Sequence, residues 1–383
     1  MTRPYENIKI LDLTHVLAGP FSTYQFALLG AEVIKIEPPE RPDCARGRGP
    51  DPQLNAGLKG LNYQVQAANK KAMTIDLKQP GGQEILKKLV ADADVLVENY
   101  RTGALDQLGL GYADLKEINP KLIYCSLSGF GNYGNRANVN AYDNTIQATS
   151  GIIEQSKGHK PGVSFVDYAA GYNAAFAISA AIHQRIITGL GTYISSSMFE
   201  VAMTLMAPEA AAAQHPIKSS RDKEAGISAY ETLDGVLMIG AFTPDQNRRM
   251  WEMFDVLNIE YPDRLKEPND WESLWSLSKI MKEALTEIFK EKSTEEWQNF
   301  FHLHSLPAEK QRTLSDAVQD PQLTGFFHET GDVKLPVAAY HFENGPEITS
   351  PPPGFSEHTD EILSDLGYSN DDISTFKAEG VIK

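Results

Sequence analysis

Apolar and polar positions at the start of the chain predict a strand, a helix and a second strand. Residues Ile8–Leu13 alternate as a short apolar strand does, and Ala31–Glu37 follows the same pattern. Between them, a proline suits the first helical position and a glycine marks a stop. The apolar residues with helical spacing are Phe21, Tyr24, Leu28 and Leu29. A strand–helix–strand unit of this kind implies a parallel sheet.

The alternation of strands and helices continues to about residue 200. The predicted segments are a helix from Pro80, a strand over Asp94–Tyr100, a helix over Gly103–Ile118, a strand over Lys121–Leu127, a helix over Val166–Ile187 and a strand over Thr192–Ser197. Such alternation is typical of an α/β domain with a parallel, Rossmann-like sheet.

The pattern changes after residue 220. Tyr230–Gly240 reads as a hairpin that turns at Asp234-Gly235, and Ser293–Glu296 is a capping box. Further helices are predicted over Pro244–Leu257, Leu277–Lys292, His358–Leu366 and Asp371–Ala378, the last two after the linker Pro351–Gly354. We therefore expect a large α/β domain over residues 1–220, a smaller α+β domain over 221–330 and a C-terminal segment over 331–383.

Composition and charge narrow the classes of function. The net charge of −16 argues against general nucleic-acid binding and against docking on anionic lipid. The first residues lack an apolar signal core, and no apolar run is long enough to span a bilayer. Cys44 and Cys125 make neither a disulfide framework nor a metal site. We expect a cytoplasmic protein without metal, nucleic-acid partner or membrane.

Asp167 is the strongest candidate for chemistry. It opens a long helix rich in small residues, where unpaired backbone N–H groups favour an ionised carboxylate. An ionised, positioned carboxylate can act as a covalent nucleophile. The small residues after it let another backbone or a ligand come close; they are Ala169, Ala170, Gly171, Ala174 and Ala175. The alternative is that Asp167 only caps the helix.

Other candidates lie in the loops that follow predicted strands, because a parallel sheet binds ligands beyond the carboxyl ends of its strands. The candidate loops are those around His15–Pro20, Glu37–Arg48, Glu98–Gly103 and Ser128–Asp143. The first leads into a helix N-terminus, and the last begins with the glycine-rich stretch Ser128–Gly134. His15 and His358 are possible acid–base residues or structural histidines. Several basic residues flank the same edge: Arg41, Arg46, Lys70, Lys71, Lys78, Arg101 and Arg136. The chain has neither G-x-G-x-x-G nor G-x-S-x-G, which argues against a dinucleotide dehydrogenase and a serine hydrolase.

In order along the chain, several segments resemble the class III CoA-transferases, the CaiB/BaiF family, and most of all their formyl-CoA transferase branch. The matching segments are Leu11–Pro20, Gly30–Glu37, Asn69–Lys71, Asp76–Lys78, Val97–Tyr100, Gly103–Asp106, Leu122–Phe130, Tyr142-Asp143, Asp167–Gly171 and Glu357–Leu363. The resemblance covers nearly the whole chain. It implies an interlocked homodimer in which the C-terminal segment returns to the large domain.

The resemblance also implies an activity and a site. The aspartate matching Asp167 attacks an acyl-CoA thioester, a mixed aspartyl–acyl anhydride forms, and CoA passes to a small free carboxylic acid. Coenzyme A is thus a substrate, and no prosthetic group is implied. Tyr142 and Asp143 fall beside the reacting acyl group. The implied CoA contacts are Val16, Leu17, Ala18, Ile75, Lys78, Asn99, Tyr100, Arg101 and Leu108, and Arg46 is a compensating basic residue.

Two other functions stay open at this point. An α-methylacyl-CoA racemase needs two opposed acid–base groups, and its relatives place a histidine and a glutamate where this chain has Tyr142 and Thr243. A CoA-binding protein without catalysis is suggested by departures from the family pattern. These are Pro38, Pro39 and Gln107 at positions where relatives often carry arginine, Asn140 in place of a lysine, the lack of a four-glycine loop, and the altered stretch Leu306–Glu309.

Overall fold

The computed structural model describes residues 2–215, 224–331 and 333–383. Its contacts divide the chain into two units, Met1–Ala211 with Gly325–Lys383 and Ala212–Thr324. The predicted boundary at 220/221 lies outside the described residues. The C-terminal segment is part of the first unit from Gly325 onward, whereas the sequence placed its start at residue 331.

The first unit is built on a six-stranded, entirely parallel sheet. Its strands are β1 (Lys9–Leu13), β2 (Glu32–Glu37), β3 (Lys70–Thr74), β4 (Val95–Glu98), β5 (Ile123–Ser128) and β6 (Tyr193–Ser197). Their order is β3-β2-β1-β4-β5-β6, and every pairing is parallel, as the sequence predicted. Since the order runs outward in both directions from β1 and β4, a ligand crevice is expected where these two strands end.

Helices cover both faces of this sheet. They are α1 (Ala18–Leu28), α2 (Pro52–Ala56), α3 (Leu61–Gln64), α4 (Pro80–Ala91), α5 (Tyr112–Ile118), α6 (Asp143–Ser150), α7 (Ile152–Gln155), α8 (Phe165–Thr188), α9 (Met198–Leu205) and α10 (Ala207–Ala212). Apolar residues of α4 and α5 form the core on one face, and those of α1 and α8 form it on the other. The prediction of a single helix over Gly103–Ile118 is wrong. A short 3-10 turn ends at Gly109, which adopts a φ of 65°, and α5 begins only at Tyr112.

The second unit is a small α+β fold, as predicted. Its antiparallel sheet consists of β7 (Ala229–Glu231), β8 (Val236–Ile239) and β9 (Ala308–Lys310). Its helices are α11 (Pro244–Val256), α12 (Trp271–Ser276), α13 (Ser278–Ile288), α14 (Thr294–Leu303) and α15 (Leu314–Ala317). The predicted hairpin and the capping box at Ser293 are confirmed. An aromatic core fills the unit, with Trp251, Phe254, Phe289, Trp297 and Phe301 fully buried.

The C-terminal segment packs against the outer strand of the parallel sheet. It comprises β10 (Phe327–Thr330), β11 (Val333–Pro336), α16 (Thr359–Asp365) and α17 (Asn370–Ala378). His358 N–H donates to the Ala72 carbonyl at 2.8 Å, and the Val381 carbonyl accepts from Asp76 N–H at 2.8 Å. These bonds cover part of the open edge of β3. No helix in the described ranges is long and apolar enough to cross a membrane.

Candidate active site

A cleft of about 330 Å³ opens at the carboxyl ends of β1, β4 and β5. Three loops and the start of α8 form its walls. The lining residues are His15, Val16, Leu17, Ala18, Asn99, Tyr100, Arg101, Thr102, Leu127, Ser128, Gly129, Ala137, Asn138, Val139, Asn140, Ala141, Tyr142, Asp167 and Met198. Its position is the one that the strand order predicts, because β1 and β4 are the strands at which the order reverses.

Asp167 stands in the first turn of α8 and faces this cleft. Its side chain is 9% exposed, and the hydrogen bonds of the described residues include none to its carboxylate. Burial, and secondarily the charge of Asp143, raise the pKa of Asp167 to about 7. This pKa shift is opposite in direction to the one expected from the helix N-terminus, and burial is its largest cause.

A second carboxylate, that of Asp143, takes part of the helix N-terminus. The N–H of Val166 donates to Asp143 Oδ1 at 3.1 Å, so a different carboxylate satisfies that backbone group. Asp143 is buried, accepts from Gln147 Nε2 at 2.5 Å and has Lys160 Nζ at 4.0 Å. It caps α8 from outside the helix and does not line the cleft, although Tyr142 beside it does.

A glycine brings α1 close to the helix that carries Asp167. Gly171 lies one turn after Asp167, and a Cβ there would come within 2.8 Å of both the Ala18 carbonyl and the Phe21 ring. The small residues after Asp167 therefore serve a close helix contact, which was one of the two uses that the sequence suggested. Through this contact the start of α1 and the first turn of α8 form two adjoining walls of one cleft.

The loop between β1 and α1 has an unusual backbone. Val16 has a φ of 75°, the left-handed region in which a β-branched residue is strained. Its N–H donates to Asp43 Oδ1 at 3.1 Å, and its carbonyl accepts from Gln66 Nε2 at 2.6 Å. Next to it, the Asn99 amide bonds both the N–H and the carbonyl of His15 at 2.9 Å. The strands β1 and β4 are thereby tied together at the cleft.

Three ion pairs with almost no solvent exposure lie beneath this loop. They are Lys35–Asp43 at 3.1 Å, Arg46–Glu37 at 2.7 Å and Lys70–Asp12 at 2.9 Å. Burial would raise the pKa of Asp12 and Asp43, but Lys70 and Lys35 hold both pKa values below the ordinary one. Every charge in this cluster is compensated, which is what burial requires.

The cleft contains most of the predicted site residues, but not all of them. Eight line it: Val16, Leu17, Ala18, Asn99, Tyr100, Arg101, Tyr142 and Asp167. Lys78 is exposed, Ile75 is buried at the end of β3, and Leu108 packs on the core beside α5. Arg46 corrects the sequence hypothesis most clearly. Its guanidinium donates to Glu37, to the Tyr63 hydroxyl and to the Pro353 carbonyl, so it is a buried structural cation.

The two candidate histidines differ in place. His15 lines the cleft, and burial together with Lys35 lowers its pKa. His358 instead accepts from Ala72 N–H at 3.3 Å on the edge of β3, so its role there is structural. Within the described parts of the chain, no group of three His, Cys, Asp or Glu residues is arranged to hold a metal ion.

Sequence reasoning missed some groups around the cleft. Met198 lines it directly after β6 and was not predicted, although its position at the end of a strand was an available signal, whereas Thr102 and the segment 137–139 lie in candidate loops that the sequence did predict. Glu98 was missed as a titrating group. It is buried at the end of β4, accepts from Tyr100 N–H at 2.7 Å and lines an adjoining cavity of about 310 Å³. Burial raises its pKa to about 7.

The fold and the cleft define an α/β protein with a buried carboxylate at the crevice of a parallel sheet. Comparison with known proteins supplies the family. The model of CoA-transferase family III matches residues 5–359, and the chain belongs to that family. It is a family III CoA-transferase, an enzyme whose substrates are CoA thioesters.

Curated relatives match over nearly the full length. The chain is 32% identical to the succinyl-CoA:glutarate CoA-transferase of Homo sapiens, over 99% of this chain and 90% of the relative. It is 29% identical to the (R)-2-hydroxy-4-methylpentanoate CoA-transferase of Clostridioides difficile, over 99% of each chain. It is 28% identical to the formyl-CoA:oxalate CoA-transferase of Rhodopseudomonas palustris (strain BisA53), over 100% of this chain and 98% of the relative.

Solved structures share the fold. A CaiB/BaiF family protein from Brucella suis superimposes with a TM-score of 0.79 at 27% identity, over 96% of this chain and 100% of that one. A Mycobacterium tuberculosis protein gives a TM-score of 0.82 at 24% identity, over 94% of this chain and 99% of that one. The resemblance that the sequence suggested is confirmed at the level of family and fold.

Proposed function

We propose that the protein moves CoA from an acyl-CoA thioester to a free carboxylic acid through covalent intermediates on Asp167. The single observation that carries this proposal is the Asp167 carboxylate itself. It faces the cleft, is buried and has no hydrogen-bond partner among the described residues. A carboxylate of raised basicity, relieved of solvating partners, is a better nucleophile than one in water.

The proposed reaction balances in four steps. The Asp167 carboxylate attacks the thioester carbonyl, the C–S bond breaks, and CoA thiolate leaves an aspartyl–acyl anhydride. The thiolate attacks the aspartyl carbonyl of that anhydride and releases the donor acid. The acceptor carboxylate attacks the resulting aspartyl-CoA thioester, and a second anhydride forms with loss of thiolate. The thiolate then attacks the acceptor's carbonyl, which yields the new acyl-CoA and restores Asp167.

The cleft residues fit the two ends of this reaction. We assign the acyl-CoA thioester to the loops holding Val16, Leu17, Ala18, Asn99, Tyr100 and Arg101, with Tyr142 beside the acyl group. Ile75, Lys78 and Leu108 stay predicted contacts for the remainder of CoA. For the acid we propose a short dicarboxylate, because three relatives at 32% identity are named for succinate and glutarate.

Exchange between acyl-CoAs and free acids tests this proposal. The purified protein is incubated with succinyl-CoA or acetyl-CoA and a panel of C2–C6 acids, and new thioesters are detected by mass spectrometry. Asp167→Ala is expected to lower the exchange rate by roughly 10³-fold or more while CoA still binds. The matched control is Asp371→Ala, which removes an exposed aspartate from the first turn of α17.

Two outcomes would replace the proposal. Exchange at the normal rate in Asp167→Ala removes the anhydride mechanism. CoA binding without exchange on the whole panel favours a racemase or a binding protein, and uptake of solvent deuterium at the α-carbon of a 2-methylacyl-CoA separates those two. For the racemase, the Thr243 hydroxyl accepts from Gln246 N–H at the start of α11 and is engaged as a helix cap.

We also propose an interlocked homodimer, which the family resemblance implies. An unpartnered apolar surface supports it. On α8 the side chains of Phe176, Ile186 and Ile187 are each more than 70% exposed, an unusual concentration for a protein that works alone. Light scattering coupled to size exclusion measures the mass directly, and a monomer at micromolar concentration would contradict this part of the proposal.

A further inference from the structure

The loop that forms one wall of the cleft holds a strained residue. Val16 adopts a left-handed backbone, and a β-branched side chain is poorly suited to it. A chain keeps such a residue only where the surroundings over-determine its conformation, and strained residues concentrate at functional sites. Val16, Leu17 and Ala18 all line the cleft that holds Asp167. The groups that hold Val16 in this conformation therefore shape one wall of the cleft.

A buried ion pair holds the backbone directly before the strained residue. Asp43 accepts from Val16 N–H, with Oδ1 at 3.1 Å and Oδ2 at 3.3 Å. Lys35 pairs with Asp43 Oδ2 at 3.1 Å and also donates to the Thr14 carbonyl. The ion pair thus binds two backbone groups of the loop. Lys35 binds the Thr14 carbonyl, and Asp43 binds the Val16 N–H.

Stability alone is a poor explanation for this pair. The two side chains are 1% and 0% exposed, and the desolvation of two such charges offsets much of their attraction. Apolar residues of similar volume would stabilise the sheet at least as well. They would not, however, offer a carboxylate to a strained N–H or an ammonium to a loop carbonyl.

The strained residue also precedes backbone groups that have no acceptor. The described residues provide none for the N–H groups of Leu17 and Ala18, which come directly before the first turn of α1 or open it. Both residues line the cleft, and the Ala18 carbonyl lies close to Gly171 of α8. Donors left open in this way are suited to a carbonyl oxygen on a bound ligand.

We propose that Lys35 and Asp43 are positioning residues for the transfer reaction. Their ion pair holds Val16 in its left-handed conformation, and this keeps the N–H groups of Leu17 and Ala18 available to the carbonyl oxygen of the CoA thioester. The inference rests on the proposed function for the identity of the ligand. The conformational part, that Asp43 holds Val16 left-handed, stands on the hydrogen bonds and ion pair alone.

A rescue experiment tests the positioning role. Asp43→Asn is expected to lower kcat/KM for the acyl-CoA by about 10- to 100-fold, the range for a misplaced reacting group. Val16→Gly alone sets the reference value, because it removes a side chain from the cleft wall while glycine adopts positive φ without strain. In the double variant the loss caused by Asp43→Asn is expected to shrink to less than about 5-fold, since glycine needs no tether to stay left-handed.

Two matched variants control for general loss of stability. Asp94→Asn breaks the Arg185–Asp94 ion pair, 2.7 Å long, at the opposite end of the sheet and should leave kcat/KM unchanged in folded protein. Asn258→Gly relieves another left-handed residue, in the second unit, and should not rescue Asp43→Asn. An Asp43→Asn loss of equal size in the presence and in the absence of Val16→Gly would overturn the proposal, as would no loss at all.

A second readout separates this inference from the proposed function. Hydrogen–deuterium exchange of a peptide covering residues 14–18 should accelerate in Asp43→Asn and return toward the wild-type rate in the double variant. That result supports the conformational role even if no acid on the panel accepts CoA, in which case only the proposed function fails. If Asp43→Asn does not fold, Gln66→Leu removes the tether on the Val16 carbonyl, and the same rescue by Val16→Gly is expected.

Discussion

The buried acids of the first unit differ in whether a basic side chain lies beside them. Asp12, Glu37 and Asp43 beneath the first loop each meet a lysine or arginine nitrogen within 3.1 Å. Asp167, on the other side of the cleft, has no such partner among the described residues and has a second acid, Asp143, as its nearest electrostatic influence. Carboxyl groups that are similarly buried therefore differ in pKa, because the charges of their neighbours decide which protonation state is favoured.

The pKa values express this difference. Lysines hold the pKa of Asp12 and Asp43 below the ordinary value in spite of burial, whereas burial and Asp143 raise the pKa of Asp167 to about 7. Asp12 and Asp43 stay charged, and both accept hydrogen bonds from the backbone of the loop. The single acid exchanges its proton near neutral pH and gains basicity. Compensation thus distinguishes the acids beneath the loop from Asp167, the acid that we propose to react.

The largest expected effect comes from breaking one compensated pair. Arg46→Met should lower the free energy of unfolding by about 3–5 kcal/mol, since it leaves the Glu37 carboxylate buried without its cation. Urea denaturation measures the change. Arg48→Met is the matched control, because Arg48 is exposed, and it should stay within about 0.5 kcal/mol. A stable Arg46→Met variant that binds CoA weakly would contradict the structural role and restore Arg46 as a CoA contact.

Removing Asp167, the acid without a basic partner, should raise the free energy of unfolding rather than lower it. The folded pKa of Asp167, about 7, exceeds the unfolded value of about 3.9. The folded state therefore binds the proton more tightly, and the stability contribution of this group falls as pH rises from 4 to 7. Asp167→Asn should raise the free energy of unfolding at pH 8, by on the order of 2–4 kcal/mol, and should leave it unchanged near pH 4.

Denaturation at the two pH values tests that sign. Asp371→Asn on α17 provides a control for the loss of one surface charge. A destabilised Asp167→Asn protein at pH 8 would mean that the carboxylate has a favourable partner in solution, and the contrast between the two sets of acids would be lost.

The smallest expected effect concerns the source of the raised pKa. Exchange activity should rise with pH along a limb whose apparent pKa is about 7, because the proposed attack requires ionised Asp167. Asp143→Asn removes a like charge while the amide still accepts from Val166 N–H, so the limb should move down by about one pH unit. Glu98→Gln is the necessary control, since burial also raises the pKa of Glu98 to about 7. A limb that vanishes in Glu98→Gln and stays fixed in Asp143→Asn would assign it to Glu98 instead.

Hydrophobic periodicity predicted the fold well where elements are long and apolar. The strand–helix alternation yielded β1, α1, β2 and α8 within a few residues, and the Asp-Gly pair marked the hairpin of the second unit. Hydrophobic periodicity predicted no strand at β3, whose sequence begins with two lysines. Lys70 is buried there only because Asp12, on another strand, receives it. A local pattern contains no information on such a distant partner.

The candidate site was predictable in part for the same reason. The loops after parallel strands and the small residues after Asp167 placed the cleft correctly. From the local sequence, Arg46 could not be distinguished from the basic residues at the surface. In the structure its guanidinium is surrounded by Glu37, Tyr63 and Pro353. Local sequence also assigned the helix N-terminus to Asp167, although Asp143, 23 residues from Val166, takes one of its N–H groups. Both errors concern contacts between residues distant in sequence.

The covered edge of β3 has a consequence for how the protein is made. β3 is an outer strand of the parallel sheet, and the groups that cover it come from residues near 358 and 381. While a ribosome is still synthesising the second unit, that strand has unpaired N–H and carbonyl groups. Exposed edges of this kind recruit other chains into aggregates. Heterologous expression should therefore benefit from slow synthesis or added chaperone, and chains truncated before Gly325 should accumulate as inclusion bodies.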